Sequence, residues 1–195
     1  LEDSGIREKH TACHNYGVFE FSYPAEGEAW LVIYVRNCTN VKFEDGLLYV
    51  EGQREFEHPV ATVLQVGDVQ PEVFDVTMPN GHKPEIGEPA KAILLPMKGK
   101  EVSVSFAMSA MGFDSVRESF EQDVAGKSYE DVLAECKAAW NAVLGKVRVT
   151  GGDDARKRVF YTAVYRATSR MHNYSVGGRY IGFDGQVHED GGYGY

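Results

Sequence analysis

The 195-residue sequence has little of what usually announces a function. Its three cysteines, Cys13, Cys38 and Cys136, are too few for a disulfide framework. Cys13 and Cys38 stand beside expected strands, where they could pair or stay free. Cys136 falls on the apolar face of an expected helix and reads as buried filler. Long apolar runs are missing: the longest, Trp30–Val35, is strand-sized, so no segment spans a membrane as a helix. Positive charge is scarce, with 20 Lys and Arg against 29 Asp and Glu and a net charge of -9. Nucleic acid is thereby excluded as a partner, because phosphate contacts need a concentrated basic surface. The one basic cluster, Arg156-Lys157-Arg158, is offset by Asp153 and Asp154 just before it. There is no internal repeat and no low-complexity tract. The chain starts Leu1-Glu2-Asp3 without an initiator Met or signal sequence, which says little, because a mature form and an excised piece both stay open.

What is present is ordinary globular composition, 43% hydrophobic and 25% charged, in a length that suits one large domain or one domain plus part of another. Residues 1–15 are polar and carry few signals. Tyr16–Ser22 alternates and reads as a strand that stops at Pro24. The branched and aromatic run Ala29–Arg36 predicts a strand buried on both faces. Val41–Glu44 and Leu47–Gly52 flank Asp45-Gly46, a hairpin signal because the tight primed turn needs positive φ. Further strands are expected near Pro59–Val66 and Val73–Thr77, then a proline-rich loop at 78–84. A last hairpin is expected over Ala90–Met97 and Glu101–Ala110, across Lys98-Gly99-Lys100. In its second arm Val102, Val104, Phe106 and Met108 alternate with serine and alanine, as in a half-buried strand. Seven or more short strands at this spacing predict an antiparallel sandwich.

The period then changes. Asp114 can cap a short helix with Val116, Phe120 and Val124 on one face, broken by Gly126. Ser128-Tyr-Glu-Asp131 resembles a capping box, and Tyr129, Val132, Leu133, Cys136, Trp140, Val143 and Leu144 follow as a helical stripe. Asp153 or Asp154 caps another helix, with Phe160, Ala163, Val164, Ala167, Thr168 and Met171 on one face. After a break at His172-Asn173, residues 174–195 form a glycine-rich loop dense in Tyr, Asp, His and Glu. Such a loop costs ordering entropy and hides little apolar surface of its own, so it makes sense as one wall of a site.

Metal and phosphate chemistry find little support. His10 and His14 are four apart with Cys13 between them, but the surroundings are not helical and no third ligand is near; solvated polar residues before a strand account for them better. Asp184, His188, Glu189 and Asp190 do not follow the calcium-loop spacing of an EF-hand. Gly177-Gly178 and Gly191-Gly192 lack the strand–glycine–helix setting of a phosphate cradle, and no nucleophile elbow is present. Aromatic and acidic residues together do suit sugars: ring faces stack on C–H surfaces and carboxylates accept bonds from hydroxyls.

Four segments in order carry a more specific signal. They are Ser109-Ala-Met-Gly-Phe-Asp114, Ala139-Trp140-Asn-Ala-Val-Leu-Gly-Lys-Val147, Arg158-Val-Phe-Tyr-Thr-Ala-Val-Tyr165 and Gly178-Arg-Tyr-Ile-Gly-Phe-Asp-Gly-Gln-Val-His188. Together they resemble glycoside hydrolase family 92, the calcium-dependent exo-acting α-mannosidases, over about residues 100–195. The β-rich part is similar in character only.

The resemblance implies an α+β chain, mainly β with C-terminal helices. Residues 1–112 would be most of an N-terminal β-sandwich, 113–152 a helical linker, and 153–195 the start of an α/α toroid. It implies an inverting mechanism, in which a glutamic acid protonates the leaving oxygen and an aspartate activates water, with roughly 6.5–9.5 Å between the two carboxyls. Calcium would bind sugar hydroxyls. The acid and the base would lie downstream and the calcium ligands outside this segment, so no catalytic or metal-binding residue is expected here. Asp184, His188, Glu189 and Tyr195 are the expected substrate-binding positions. The expected partners are a mannose-containing glycan and the rest of the chain's own catalytic domain, in a secreted or periplasmic setting, and the segment alone is expected to be inactive. The rival expectation is a stand-alone carbohydrate-binding or structural sandwich. If a toroid begins here, Phe160, Tyr161, Val164 and Tyr165 are expected to be partly exposed or to fold back on the Trp140 helix.

Overall fold

The computed structural model describes residues 4–24, 26–35, 37–53, 59–66, 69–76, 90–97, 101–169 and 175–191. Nine strands precede the helices among these residues: β1 (Arg7–Ala12), β2 (Tyr16–Ser22), β3 (Trp30–Val35), β4 (Cys38–Glu44), β5 (Leu47–Gln53), β6 (Pro59–Gln65), β7 (Glu72–Val76), β8 (Ala90–Pro96) and β9 (Glu101–Ser109). They form a six-stranded antiparallel sheet in the order β1-β2-β9-β6-β5-β4 and a three-stranded one in the order β3-β8-β7. The β4–β5 turn shows why Asp45-Gly46 was a good signal. Both residues have positive φ, +53° and +75°, which glycine adopts freely and aspartate tolerates.

The large sheet is covered on both faces, and the period of two divides its side chains between two cores. Toward the small sheet, Leu48, Val50, Leu64 and Val104 pack with Ile93 and Leu95. Toward the helices, Val18, Tyr49, Ala61, Val63 and Ala107 pack under Val116, Phe120, Val124 and Val132. Helix α1 (Gly112–Ser119) continues into a π-helical turn, Phe120–Val124, and α2 (Tyr129–Leu144) follows. At the start of α2, Ser128 and Asp131 close the expected capping box, each side chain bonded to the other's backbone N–H.

Several expectations change. The polar run Arg7–Ala12 is a strand: it adds to the sheet edge, pairing His10 with Phe19, and only Thr11 is buried. An edge strand needs backbone partners more than apolar side chains, so hydropathy does not show it. Strand β3 is buried on one face, not two. Leu31 and Ile33 pack inward, while Trp30, Val32 and Tyr34 remain exposed, with Phe74 of β7 on the same side. Strand β9 is not half-buried, because the sheet's second face is covered by helices. Ser105 and Ser109 are buried there, and Ser109 Oγ meets Ser115 Oγ of α1 at 3.0 Å. The small side chains let α1 lie close. Met111, not Asp114, occupies the N-cap of α1, and Asp114 sits in its first turn. Cys13 and Cys38 belong to the two different cores, on opposite faces of one sheet, and all three thiols are free. The loop at 78–84, the turn at 98–100, His172-Asn173 and Met171 lie outside the described residues.

Helix α3 (Asp154–Thr168) starts at Asp153, whose Oδ1 accepts from the Arg156 N–H at 2.7 Å. No residue of α3 is buried. Phe160, Tyr161 and Val164 are half-exposed, Tyr165 is exposed, and the helix leans on α2 through the Trp140 and Tyr165 rings, 4.6 Å apart. Tyr161 donates from its hydroxyl to the Val147 carbonyl at 3.1 Å and ties the helix to the preceding loop.

Candidate functional site

The glycine-rich stretch after α3 is a β-hairpin. Strands β10 (Arg179–Ile181) and β11 (Val187–Glu189) pair Arg179 with Glu189, Tyr180 with His188 and Ile181 with Val187. The turn between them is held by Gly182 N–H to the Gln186 carbonyl at 2.8 Å and by Gly185 N–H to the Gly182 carbonyl at 2.9 Å. Asp184 accepts the Gln186 N–H through Oδ1 at 3.0 Å, so its side chain is part of the turn.

The same carboxylate meets His188 Nε2 at 3.0 Å and 3.1 Å from its two oxygens. An ionised carboxylate only accepts, so Nε2 carries the proton. The Gln186 amide, and then His188, hold the Asp184 carboxyl below its ordinary value. Gly182 leaves room for this pair: a Cβ there would stand 2.7 Å from Asp184 Oδ1 and 2.9 Å from His188 Nε2. The Tyr180 ring lies 5.5 Å from the His188 ring on the same face. Phe183, at the tip, is fully exposed.

The hairpin therefore brings Asp184 and His188 together and sends Glu189 to the opposite face, beside Arg179 and Val187. Tyr195 lies outside the described residues. On that opposite face a cleft of about 180 Å³ is lined by Met111, Asp114, Ser115, Glu118, Arg179 and Val187. Arg179 Nη2 donates to Glu118 Oε2 at 2.7 Å across it. Tyr180 and Phe183 were not among the expected site residues. Asp184-Gly185 between alternating residues carried the needed signal, the same one that marks the β4–β5 turn.

Chemically, the dyad offers a fixed anionic acceptor and an exposed imidazole, with the half-buried Tyr180 ring beside it and the exposed Phe183 ring at the tip of the turn. That set suits hydroxyl-rich ligands, with acceptors for O–H and ring faces for C–H surfaces. A cation is less well served. Among the described residues no three His, Cys, Asp or Glu side chains stand close enough together to hold one. Asp184 is engaged with Gln186 and His188, and Glu189 faces away, so the described residues do not fit a calcium site. His10 and His14 also diverge. His10 lies on exposed β1 with its ring 6.1 Å from that of Phe19, while His14 Nε2 meets the Ser175 carbonyl at 2.5 Å.

Comparison with known proteins adds the family context. The family model for the glycosyl hydrolase family 92 catalytic domain matches residues 116–195, from within α1 through the hairpin. No curated protein matches the sequence. Among solved structures, a family 92 inverting mannosidase from Bacteroides thetaiotaomicron is similar to the chain with a TM-score of 0.82 and 18% identity, over 95% of this chain and 28% of that one. A family 92 α-mannosidase from the same organism is similar with a TM-score of 0.78 and 22% identity, over 97% of this chain and 28% of that one. The latter protein has also been solved with mannoimidazole, a form similar to this chain with a TM-score of 0.77. The chain spans 28% of the length of each. The resemblance read from the four sequence segments is thus met twice: by the family model over the helical part, and by the fold over nearly the whole chain.

Proposed function

We propose that this chain is a segment of a family 92 glycoside hydrolase that removes non-reducing α-linked mannose from glycans with inversion. The observation that carries this is the match of residues 116–195 to the family's catalytic-domain model. The sandwich is the platform, α1 and α2 are the linker, and α3 with the β10–β11 hairpin opens the catalytic domain. On this reading the Asp184–His188 face of the hairpin touches sugar hydroxyls, and Phe183 packs on a sugar ring or on the neighbouring helices of the completed domain. Glu189 supports the other face. On this reading the segment orients substrate and the rest of the enzyme performs the hydrolysis. Calcium is proposed as the cofactor and a secreted or periplasmic setting as the location on the resemblance alone, and no described residue is assigned to the ion.

The test is an aryl α-mannoside assay of the full-length protein and of the 195-residue chain. Turnover with an inverted product is expected from the full-length protein, none from the chain, and loss of turnover on chelation. Full-length protein without mannosidase activity would overturn the reading, and calcium-dependent turnover by the chain alone would overturn the assignment of a supporting role. Asp184→Asn and Phe183→Ala in the full-length enzyme are expected to raise KM by roughly 5- to 30-fold, about 1–2 kcal/mol of lost binding at each position.

A further inference from the structure

The hairpin is short, its strands are three residues each, and the backbone bonds within it hold its arms together without aiming it at the rest of the molecule. Its aim must come from elsewhere. The β1–β2 turn, Cys13–Asn15, is the element of the sandwich that reaches its root. That turn is itself held on several sides. Cys13 N–H donates to the Tyr16 carbonyl at 2.9 Å, and Met108 N–H donates to the Asn15 carbonyl at 2.8 Å. Asn15 Nδ2 donates to the Met108 carbonyl at 3.0 Å and to Ser119 Oγ at 2.8 Å, and Ser119 in turn donates to Asp123 Oδ2 at 2.8 Å. One residue of the turn thus binds the central strand β9 and the α1 helix at its π turn. The residue before it, His14, reaches the opposite way to the Ser175 carbonyl, one residue before the Val176–Arg179 bridge that starts the hairpin.

A carbonyl can only accept, so His14 Nε2 is the donor, and it stays a donor whether the ring is neutral or protonated. The contact is part-buried and joins residues 161 apart in sequence. The second tie, Glu118 to Arg179, is a surface ion pair with both side chains about half exposed, which screening makes weak.

We propose that His14 is a positioning residue: it fixes the root of the β10–β11 hairpin to the sandwich and so sets where the Asp184–His188 face points. The link from this aim to sugar binding rests on the function proposed above. Its physical basis is that a short hairpin amplifies motion at its root: Ser175 and Val176 are buried there, and the His14 bond is a directional contact that adds to that packing.

The test compares His14→Ala and His14→Gln in the full-length protein, by hydrogen exchange and by mannoside kinetics. Gln places an N–H where the imidazole Nε2 stood, whereas Ala does not. His14→Ala is expected to speed exchange about tenfold or more in peptides covering 175–191 while β5, β6 and β9 keep their protection. His14→Gln is expected to restore most of that protection. In the enzyme, His14→Ala is expected to raise KM about 3- to 10-fold with kcat nearly unchanged, as for lost uniform binding. Unchanged exchange at 175–191 in His14→Ala would overturn the proposal. A uniform rise across the sandwich would also overturn it, as would failure of Gln to rescue. Faster local exchange with unchanged KM would leave the positioning role standing and sink the sugar-binding reading of the hairpin.

Discussion

Helix α1 with its π turn buries Val116, Phe120 and Val124 almost wholly, whereas α3, at 15 residues the longer of the two helices, buries none. Both carry an apolar stripe at helical spacing. The difference is the surface each meets. Strands β9 and β6 offer Ala107, Ala61 and buried serines as a floor on which α1 can settle, and among the described residues α3 leans on the flank of α2 and on the loop before it. A stripe in the sequence states what a helix can bury, and only the partner decides whether it does. The comparison also separates two kinds of stability: the sandwich and α1 hold each other through buried apolar side chains, while α3 buries none and the hairpin is held at its buried root, Ser175 and Val176, and by a few polar bonds.

The contrast breaks hardest at Val116. Val116→Asp puts an unpaired carboxylate into a site with no solvent exposure and is expected to cost about 3–5 kcal/mol. The cooperative melt followed by circular dichroism should shift far down or vanish. Val159→Asp on exposed α3 is expected to move it by no more than about 0.5 kcal/mol, and an equal loss at both positions would erase the distinction. Next comes Leu48→Ala between the two sheets, expected to cost about 2–5 kcal/mol in urea unfolding because the leucine is fully buried.

A smaller effect tests how α2 is docked. Glu135 accepts from Lys127 at 2.7 Å and from the Tyr16 hydroxyl at 2.8 Å, and these bonds, Lys127 first, hold its carboxyl below the ordinary glutamate value. The Tyr16 phenol is pushed up by burial and by the same carboxylate. A depressed carboxyl stabilises the fold fully above its unfolded value, about pH 4.3, and loses that contribution as pH falls through the lower folded value. Lys127→Met should therefore move the acid transition of the tyrosine near-ultraviolet signal to higher pH. An unmoved transition would mean that the pair does not help to dock α2.

The smallest global effect and the sharpest local one belong to Gly182→Ala. The added methyl collides with Asp184 and His188. Thermal stability is expected to change by about 0.5 kcal/mol or less, while the Gln186 amide, freed from Asp184, exchanges about tenfold faster. Protection unchanged at Gln186 would show that the dyad is not what orders the turn.

Much of this architecture was legible from residue pattern. Strands β2, β5, β6, β8 and β9 follow alternation and turn chemistry closely, β4 begins at Cys38, three residues before the expected Val41, and the α2 capping box follows its local spacing. What escaped depended on neighbours. Polar β1 is a strand because β2 is beside it. Whether β3 has one buried face or two depends on a covering layer that its own residues do not specify. The serines of β9 looked solvent-facing because alternation marks two faces without saying what lies beyond either. At the site, Asp184 and His188 were readable as residues suited to sugar, but their pairing needed the hairpin. That hairpin also explains why His188 and Glu189, adjacent in sequence, look in opposite directions.

The π turn at Phe120–Val124 has a mechanical meaning for the whole chain. A π turn spends about one residue more than an α turn, and each residue of an α-helix advances the chain by roughly 100° of rotation. The extra residue therefore acts as a gearing step. It fixes the compass bearing at which the backbone leaves the π turn at Val124 and enters α2 at Tyr129. Removing any single residue between Phe120 and Val124 would swing everything from α2 onward to a new bearing while the strands behind it kept their register.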